Sequence, residues 1–169
     1  PYFIDLEYLC KDKLLTKKEC ESFKWGSNPK YVDYGIMYES RYALLRKVYA
    51  RFTKKEPQDF EKFCENEKQW LDDYALFMAL KDANGGQAWS NWDKSLRLRE
   101  KKAMEEATEK YSEEIRFYKM LQYLFYQQWN ALKTYANEAG IEIIGDVPIY
   151  VAGDSADVWA NPDQFYLDE

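Results

Sequence analysis

Ile141-Glu-Ile-Ile-Gly-Asp-Val-Pro-Ile-Tyr-Val-Ala152 is the stretch on which the fold reading turns. It is rich in β-branched residues, is bounded by Gly140 and Gly153, and comes after a long helical pattern. Upstream, Ile115, Tyr118, Leu121, Phe125, Trp129, Leu132, Ala136 and Ala139 recur at spacings of three and four, which places them on one helix face. Gly140 then stands where a helix C-cap is expected. A long amphipathic helix, one Gly and a β-branched run make the αβ half of a βαβ unit, with a buried strand at 141–152. Pro148 cannot donate to a central ladder, so it marks where that strand runs into a loop and stiffens the residues just after it.

Working outward, the period stays helical over most of the remaining chain. Tyr38, Tyr42, Leu45, Tyr49 and Phe52 predict one helix. Phe60, Phe63, Cys64, Leu71, Tyr74 and Met78 predict another, with Pro57 in its first turn and Asn84-Gly85-Gly86 ending it. Lys94 to Glu114 is highly charged and reads as an exposed helix. Tyr2 to Leu9 is either extended or the start of a helix, and Trp25-Gly-Ser-Asn-Pro29 reads as a loop. Residues 37–112 are therefore expected to form a helical portion between the segment 1–36 and the αβ portion 113–169.

Composition narrows the chemistry. The 169 residues contain no histidine, which removes Ser-His-Asp and Cys-His catalysis, His-ligated zinc and imidazole acid–base chemistry from this chain. The net charge of −6, from 24 basic and 30 acidic residues, argues against a nucleic-acid partner. The basic clusters Lys11 to Lys18 and Arg97 to Lys102 are interleaved with acids and read as solvated helix faces. The longest apolar run, Tyr74 to Leu80, has seven residues, where a membrane-spanning helix needs about 20. Cys10, Cys20 and Cys64 lack metal-site spacing and are an odd set, so each is expected as a small core residue in a reducing cytoplasm. Pro1 to Leu9 is not a signal peptide. Pro1 in place of Met, and Phe165 to Glu169 at the other end, lead to the expectation of a longer parent.

Candidate chemistry gathers after the predicted strand, because functional groups of parallel α/β proteins sit at strand C-termini. Asp146 is there, and two readings stand: a site carboxylate, or an acid organising the loop through backbone N–H groups. Asp154 and Ser155 either hydrogen-bond a hydroxylated ligand or cap a turn or helix. Trp89, Trp92, Trp159 and Phe165 fall outside the helical stripes and can stack on a sugar face. Most other rings belong to core or interface.

The stretch IIGDVPIYVAGDSADVWANP (Ile143 to Pro162) resembles 4-α-glucanotransferases of the amylomaltase, or disproportionating-enzyme, family. PYFIDLEYL (Pro1 to Leu9), QWLDDYALFMALKD (Gln69 to Asp82) and YLFYQQWNALKTYANEAGI (Tyr123 to Ile141) agree in the family's order. The resemblance thus covers essentially the whole chain. It implies an α/β fold: a segment of a (β/α)8 TIM barrel, mostly α-helical here because 37–112 matches the family's helical insertion. It implies a cytoplasmic enzyme of starch, glycogen and maltodextrin metabolism. Such enzymes transfer α-1,4-glucan segments between maltooligosaccharides by a retaining two-carboxylate mechanism, with no cofactor and no metal.

By the same resemblance Asp146 matches an active-site aspartate that supports substrate, and Asp154, Ser155 and Trp159 lie near the sugar subsites. The nucleophile and the acid–base residue are expected downstream of Glu169, so this chain alone is expected to be inactive. Open sheet edges make self-association possible in such a segment. A reading from a different class also stands: a non-catalytic helical module that binds glucans or a protein partner.

Overall fold

The computed structural model describes every residue except Pro29, Pro148, Asp168 and Glu169. In chain order its helices are α1 (Leu6–Lys11), α2 (Lys17–Ser22), α3 (Tyr34–Phe52), α4 (Phe60–Ala83), α5 (Lys94–Arg97), α6 (Lys101–Lys110), α7 (Ser112–Glu138) and α8 (Ala156–Ala160), with 3-10 turns at Trp89–Asn91 and Pro162–Gln164. Two compact units result, one of Pro1–Phe63 with Met120–Ile143 and one of Cys64–Lys119 with Ile144–Glu169.

The first unit has a core of Ile4, Leu9, Leu44, Leu45, Val48, Phe52, Phe60, Leu121 and Tyr123. Four rings meet edge to face in it: Phe52 on Phe60 at 5.0 Å, and Tyr123 on Phe60 at 5.3 Å and on Phe63 at 5.6 Å. Burial of this kind stabilises by about 25 cal/mol per Å² of apolar surface. The Tyr123 hydroxyl donates to Asp59 at 2.7 Å. Burial and that carboxylate raise the phenol well above its ordinary pKa. On α3 the buried face is Leu44, Leu45, Val48 and Phe52, while Tyr38 is exposed and Tyr42 and Tyr49 are half-buried. Aliphatic side chains take the interior and the tyrosines border it, where their hydroxyls stay near water.

Polar side chains tie down the N-terminal segment. Asp5 caps α1 by accepting from Glu7 N–H at 2.7 Å, so Tyr2 to Leu9 becomes a turn leading into a helix. Gln128 exchanges two bonds with the Asp5 backbone, accepting at 2.7 Å and donating at 3.1 Å. Arg41 donates to the carbonyls of Pro1, Tyr2 and Ile4. Arg51 grips Glu19 with two parallel bonds of 2.9 and 2.6 Å and reaches the Leu14 carbonyl at 2.9 Å.

In the second unit the C-terminal half of α4 is buried on most sides, through Leu71, Ala75, Phe77, Ala79 and Leu80. Its end is a Schellman turn: Gly86 N–H bonds to Lys81 O at 2.8 Å and Gly85 N–H to Asp82 O at 3.1 Å, with Gly85 at φ 65°. The same pair of bonds closes α7 at Gly140, where φ is 74°. Both stops fall where the sequence placed them. Pro57 differs slightly: α4 begins at Phe60, after a turn in which Phe60 N–H bonds to Pro57 O at 3.1 Å.

Two expectations need comment. Lys94 to Glu114 is helical and largely exposed as expected, but no single helix spans it: Ser112 already opens α7, and α5 and α6 are parted at Arg99, a non-glycine residue at φ 52°. Such a conformation costs about 1–2 kcal/mol, and contacts of the Arg99 side chain offset it. The predicted buried strand at 141–152 is also absent. Among the described residues no β-strand forms, and no barrel is present. Ile144 is 93% exposed and Ile149 89%. A strand is stabilised by hydrogen bonds to its neighbours, and no neighbouring strand is at hand. Pro148, expected to stiffen the exit, lies outside the described residues. The stripe on α7 divides likewise: Tyr118 and Leu121 are buried, whereas Trp129 and Leu132 are exposed.

The Glu19 clamp carries a pH signature. Hydrogen bonds from Arg51 and Thr16 hold the Glu19 carboxyl at about 2, below its ordinary 4.5. Its folded pKa is depressed, so its contribution is complete above pH 4.5 and drains away as the pH falls to about 2. Urea-unfolding midpoints measured across that window should fall with acid in the wild type and fall less steeply in Glu19→Gln. Equal slopes would remove Glu19 from the acid response.

Candidate functional site

The residues singled out after position 145 lie in the second unit, and α4 supplies the platform for most of them. One face of its last turns presents Asp73, Phe77 and Lys81. The turn that leaves α4 carries Trp89 and Trp92, Asp154 and Ser155 stand just before α8, and α8 carries Trp159 near its C-terminal end.

Trp159 is the centre of this arrangement. It is 1% exposed. Its ring lies 5.8 Å from both Phe77 and Trp92, and Phe77 and Trp92 are 5.4 Å apart. The indole N–H donates to Leu96 O at 3.0 Å, so the polar end of the ring is satisfied inside the core. Arg99 stacks its guanidinium over the same ring at 4.2 Å and pairs with Asp73 through Nη2. A desolvated cation–π contact is worth about 2 kcal/mol, which is of the size needed to hold Arg99 in its strained backbone conformation. The break between α5 and α6 is thus the point at which Arg99 turns inward.

Asp154 is held from two sides. Its Oδ2 accepts from Lys81 Nζ and its Oδ1 from Trp89 N–H at 3.2 Å. The Trp89 indole N–H donates to Gly153 O at 2.7 Å, so one tryptophan clasps two consecutive residues of the loop. Ser155 caps α8, its Oγ accepting from Val158 N–H at 3.3 Å. Of the two readings given for this pair, Ser155 shows the capping role, while Asp154 is held by Lys81 and Trp89. Each carboxylate oxygen of Asp154 retains a further lone pair for a ligand hydroxyl.

The structure therefore brings Asp154, Ser155 and Trp159 together and leaves Asp146 apart, on the exposed segment before them. Lys81, Arg99 and Asp73 were not visible as site residues. Lys81 and Asp73 sit inside a charged helical pattern, and nothing local marks an arginine that bends the chain. Trp89 and Trp92 had shown one signal, their position outside any helical stripe. Beside α8, the side chains of Trp70, Asp73, Tyr74, Asp157 and Asn161 line a cleft of about 160 Å³, with Trp70 donating to Glu67 at 2.7 Å. An aromatic face ringed by carboxylate and amide groups suits a hydroxylated ligand.

The family described as 4-alpha-glucanotransferase matches residues 1–169. The chain belongs to the 4-alpha-glucanotransferase family. It is 45% identical to the 4-alpha-glucanotransferase of Clostridium butyricum over 169 residues, covering 100% of this chain and 35% of the relative. It is 46% identical to that of Thermus thermophilus over 173 residues, covering 100% of this chain and 34% of the relative. Among solved structures it resembles the amylomaltase from Streptococcus agalactiae in complex with acarbose, with a TM-score of 0.93 and 39% identity over 99% of this chain and 34% of that one. The chain spans about a third of the length of the curated relatives it matches.

The geometry separates two kinds of support for the loop. Trp159→Ala removes a fully buried ring and should lower the unfolding free energy by about 3–5 kcal/mol. Lys81→Met breaks a half-exposed ion pair and should cost less than about 1 kcal/mol, while speeding amide exchange at Trp89. Urea denaturation and hydrogen exchange measure the two effects. A large global loss in Lys81→Met would mean that Asp154 holds more than its loop.

Proposed function

We propose that this chain is part of a cytoplasmic 4-α-glucanotransferase that moves α-1,4-glucan segments between maltooligosaccharides. The observation that carries the reading is the family match over residues 1–169. The acarbose held by the related amylomaltase supports a glucan-like ligand for this fold. The reaction is the retaining double displacement: one carboxylate attacks the anomeric carbon while a second protonates the leaving oxygen, then accepts the proton of the incoming 4-hydroxyl. A site closed to water favours the sugar acceptor over hydrolysis. Both acids belong to polypeptide beyond this chain, which by itself turns over no substrate. No cofactor takes part.

In this reading residues 37–112 are the helical insertion between the barrel-derived segment 1–36 and the portion 113–169, which holds a barrel helix, a strand and the site loop. The exposed run Ile141 to Val151 becomes a barrel strand once neighbouring strands pair with it, and Asp146 at its exit supports bound sugar. Asp154 and Ser155 stand at the subsites and also shape the loop. Trp159 supports them from within the core. The same exposed run gives the isolated chain a tendency to self-associate.

The test uses protein carrying the complete family domain, incubated with maltotriose and followed by oligosaccharide chromatography. Longer and shorter products should appear, and Asp146→Asn should reduce their rate by about 100-fold or more. The chain of 169 residues alone should give none. A complete domain without disproportionation would remove the activity; turnover by the chain alone would remove the claim about the acids. An undiminished Asp146→Asn variant would remove its role. If the inactive chain nonetheless shifts its tryptophan fluorescence with maltooligosaccharides, it keeps a glucan subsite of its own.

A further inference from the structure

We propose that Cys10 and Cys20 are an oxidation-sensitive thiol pair that closes to an internal disulfide on meeting a peroxide. Their sulfurs stand 3.8 Å apart, in hydrogen-bonding contact, and both residues are half-buried rather than enclosed in the core. A cleft of about 400 Å³, lined by both cysteines with Glu7, Lys17, Glu21 and Trp25, opens onto them. A small polar oxidant can therefore reach the sulfurs. Cys64, by contrast, is buried.

The backbone suits closure. Cys10 lies in the last turns of α1 and Cys20 in α2, two six-residue helices joined by a short link that includes Lys13 at φ 61°. The Thr16–Glu19 capping box and the Arg51 clamp hold α2 in register, so Cys20 keeps its place beside Cys10. Bond formation draws the sulfurs in from 3.8 Å to about 2.05 Å.

The chemistry balances with one peroxide. The Cys10 sulfur attacks a peroxide oxygen, the O–O bond breaks, and a sulfenic acid and one water form. The Cys20 sulfur then attacks the Cys10 sulfur, the S–O bond breaks, and the Cys20 proton leaves with the hydroxyl as a second water. Two thiols are oxidised and the peroxide is reduced. Burial and the contact with Cys10 push the Cys20 thiol up to about 11. Cys20 is therefore the poorer nucleophile towards the peroxide, and the first step falls to Cys10.

To test this, the chain is treated with hydrogen peroxide, alkylated, and analysed by intact mass and peptide mapping without reductant. The expected product is monomeric, lighter by two hydrogen atoms, cross-linked between the peptides of Cys10 and Cys20, and restored by dithiothreitol. Trp25, whose indole N–H donates to Cys20 O at 2.9 Å, reports closure by a change in fluorescence. In Cys20→Ser the cross-link is lost and dimedone traps a sulfenic acid on Cys10. The proposal fails if both thiols are recovered alkylated after a treatment that oxidises glutathione. It fails equally if the cross-links join separate chains or involve Cys64.

Discussion

A helix satisfies its backbone hydrogen bonds within its own sequence, whereas a strand must find them on another strand, and this difference shapes the whole chain. α4 and α7 close every turn internally and end in matching Schellman turns at Gly85 and Gly140. The β-branched run after α7 has no such means. Its side chains are suited to a sheet, yet Ile144, Val147, Ile149 and Tyr150 stand in solvent. Asp146 lies in the same exposed run.

The loop after it is fixed by another kind of force. Trp159 packs against both Phe77 and Trp92, and Arg99 covers its ring, so side-chain burial does what ladder bonds do in a sheet. The backbone at Arg99 is strained, and the cation–π contact and the ion pair with Asp73 offset that strain. Asp154, clasped by Lys81 and Trp89, then sets the direction in which the loop enters α8. The second unit thereby holds an ordered loop although the strand before it is not formed.

Much of this was legible. Periodic apolar spacing located α3, α4 and α7, and Gly85 and Gly140 marked the stops of α4 and α7, because both signals are local. The family, too, was legible in the run Ile143 to Pro162. Less legible was which face of α3 is buried, since Tyr42 and Leu44 are equally plausible from spacing and only the neighbours choose between them. The roles of Lys81, Arg99 and Asp73 were hidden, because their partners lie dozens of residues away in sequence. The pairing of Cys10 with Cys20 was hidden for a related reason: ten residues apart, on two short helices, they meet only when the link between them turns.

The amino-acid sequence alone therefore determined the places of α3, α4 and α7, the stops of α4 and α7, the lack of an imidazole in this chain and the family. These depend on propensity, periodicity and composition, each readable within a few turns of chain. The tertiary structure alone decided that Trp159 is an anchor inside the core, that Asp154 is a clasped acid, and that Arg99 breaks the charged helix in two. It also decided that the described residues of the run at 141–152 stay open. Each of these outcomes is set by groups distant in sequence, and burial, ion pairing and ladder bonding act only once those groups are brought together.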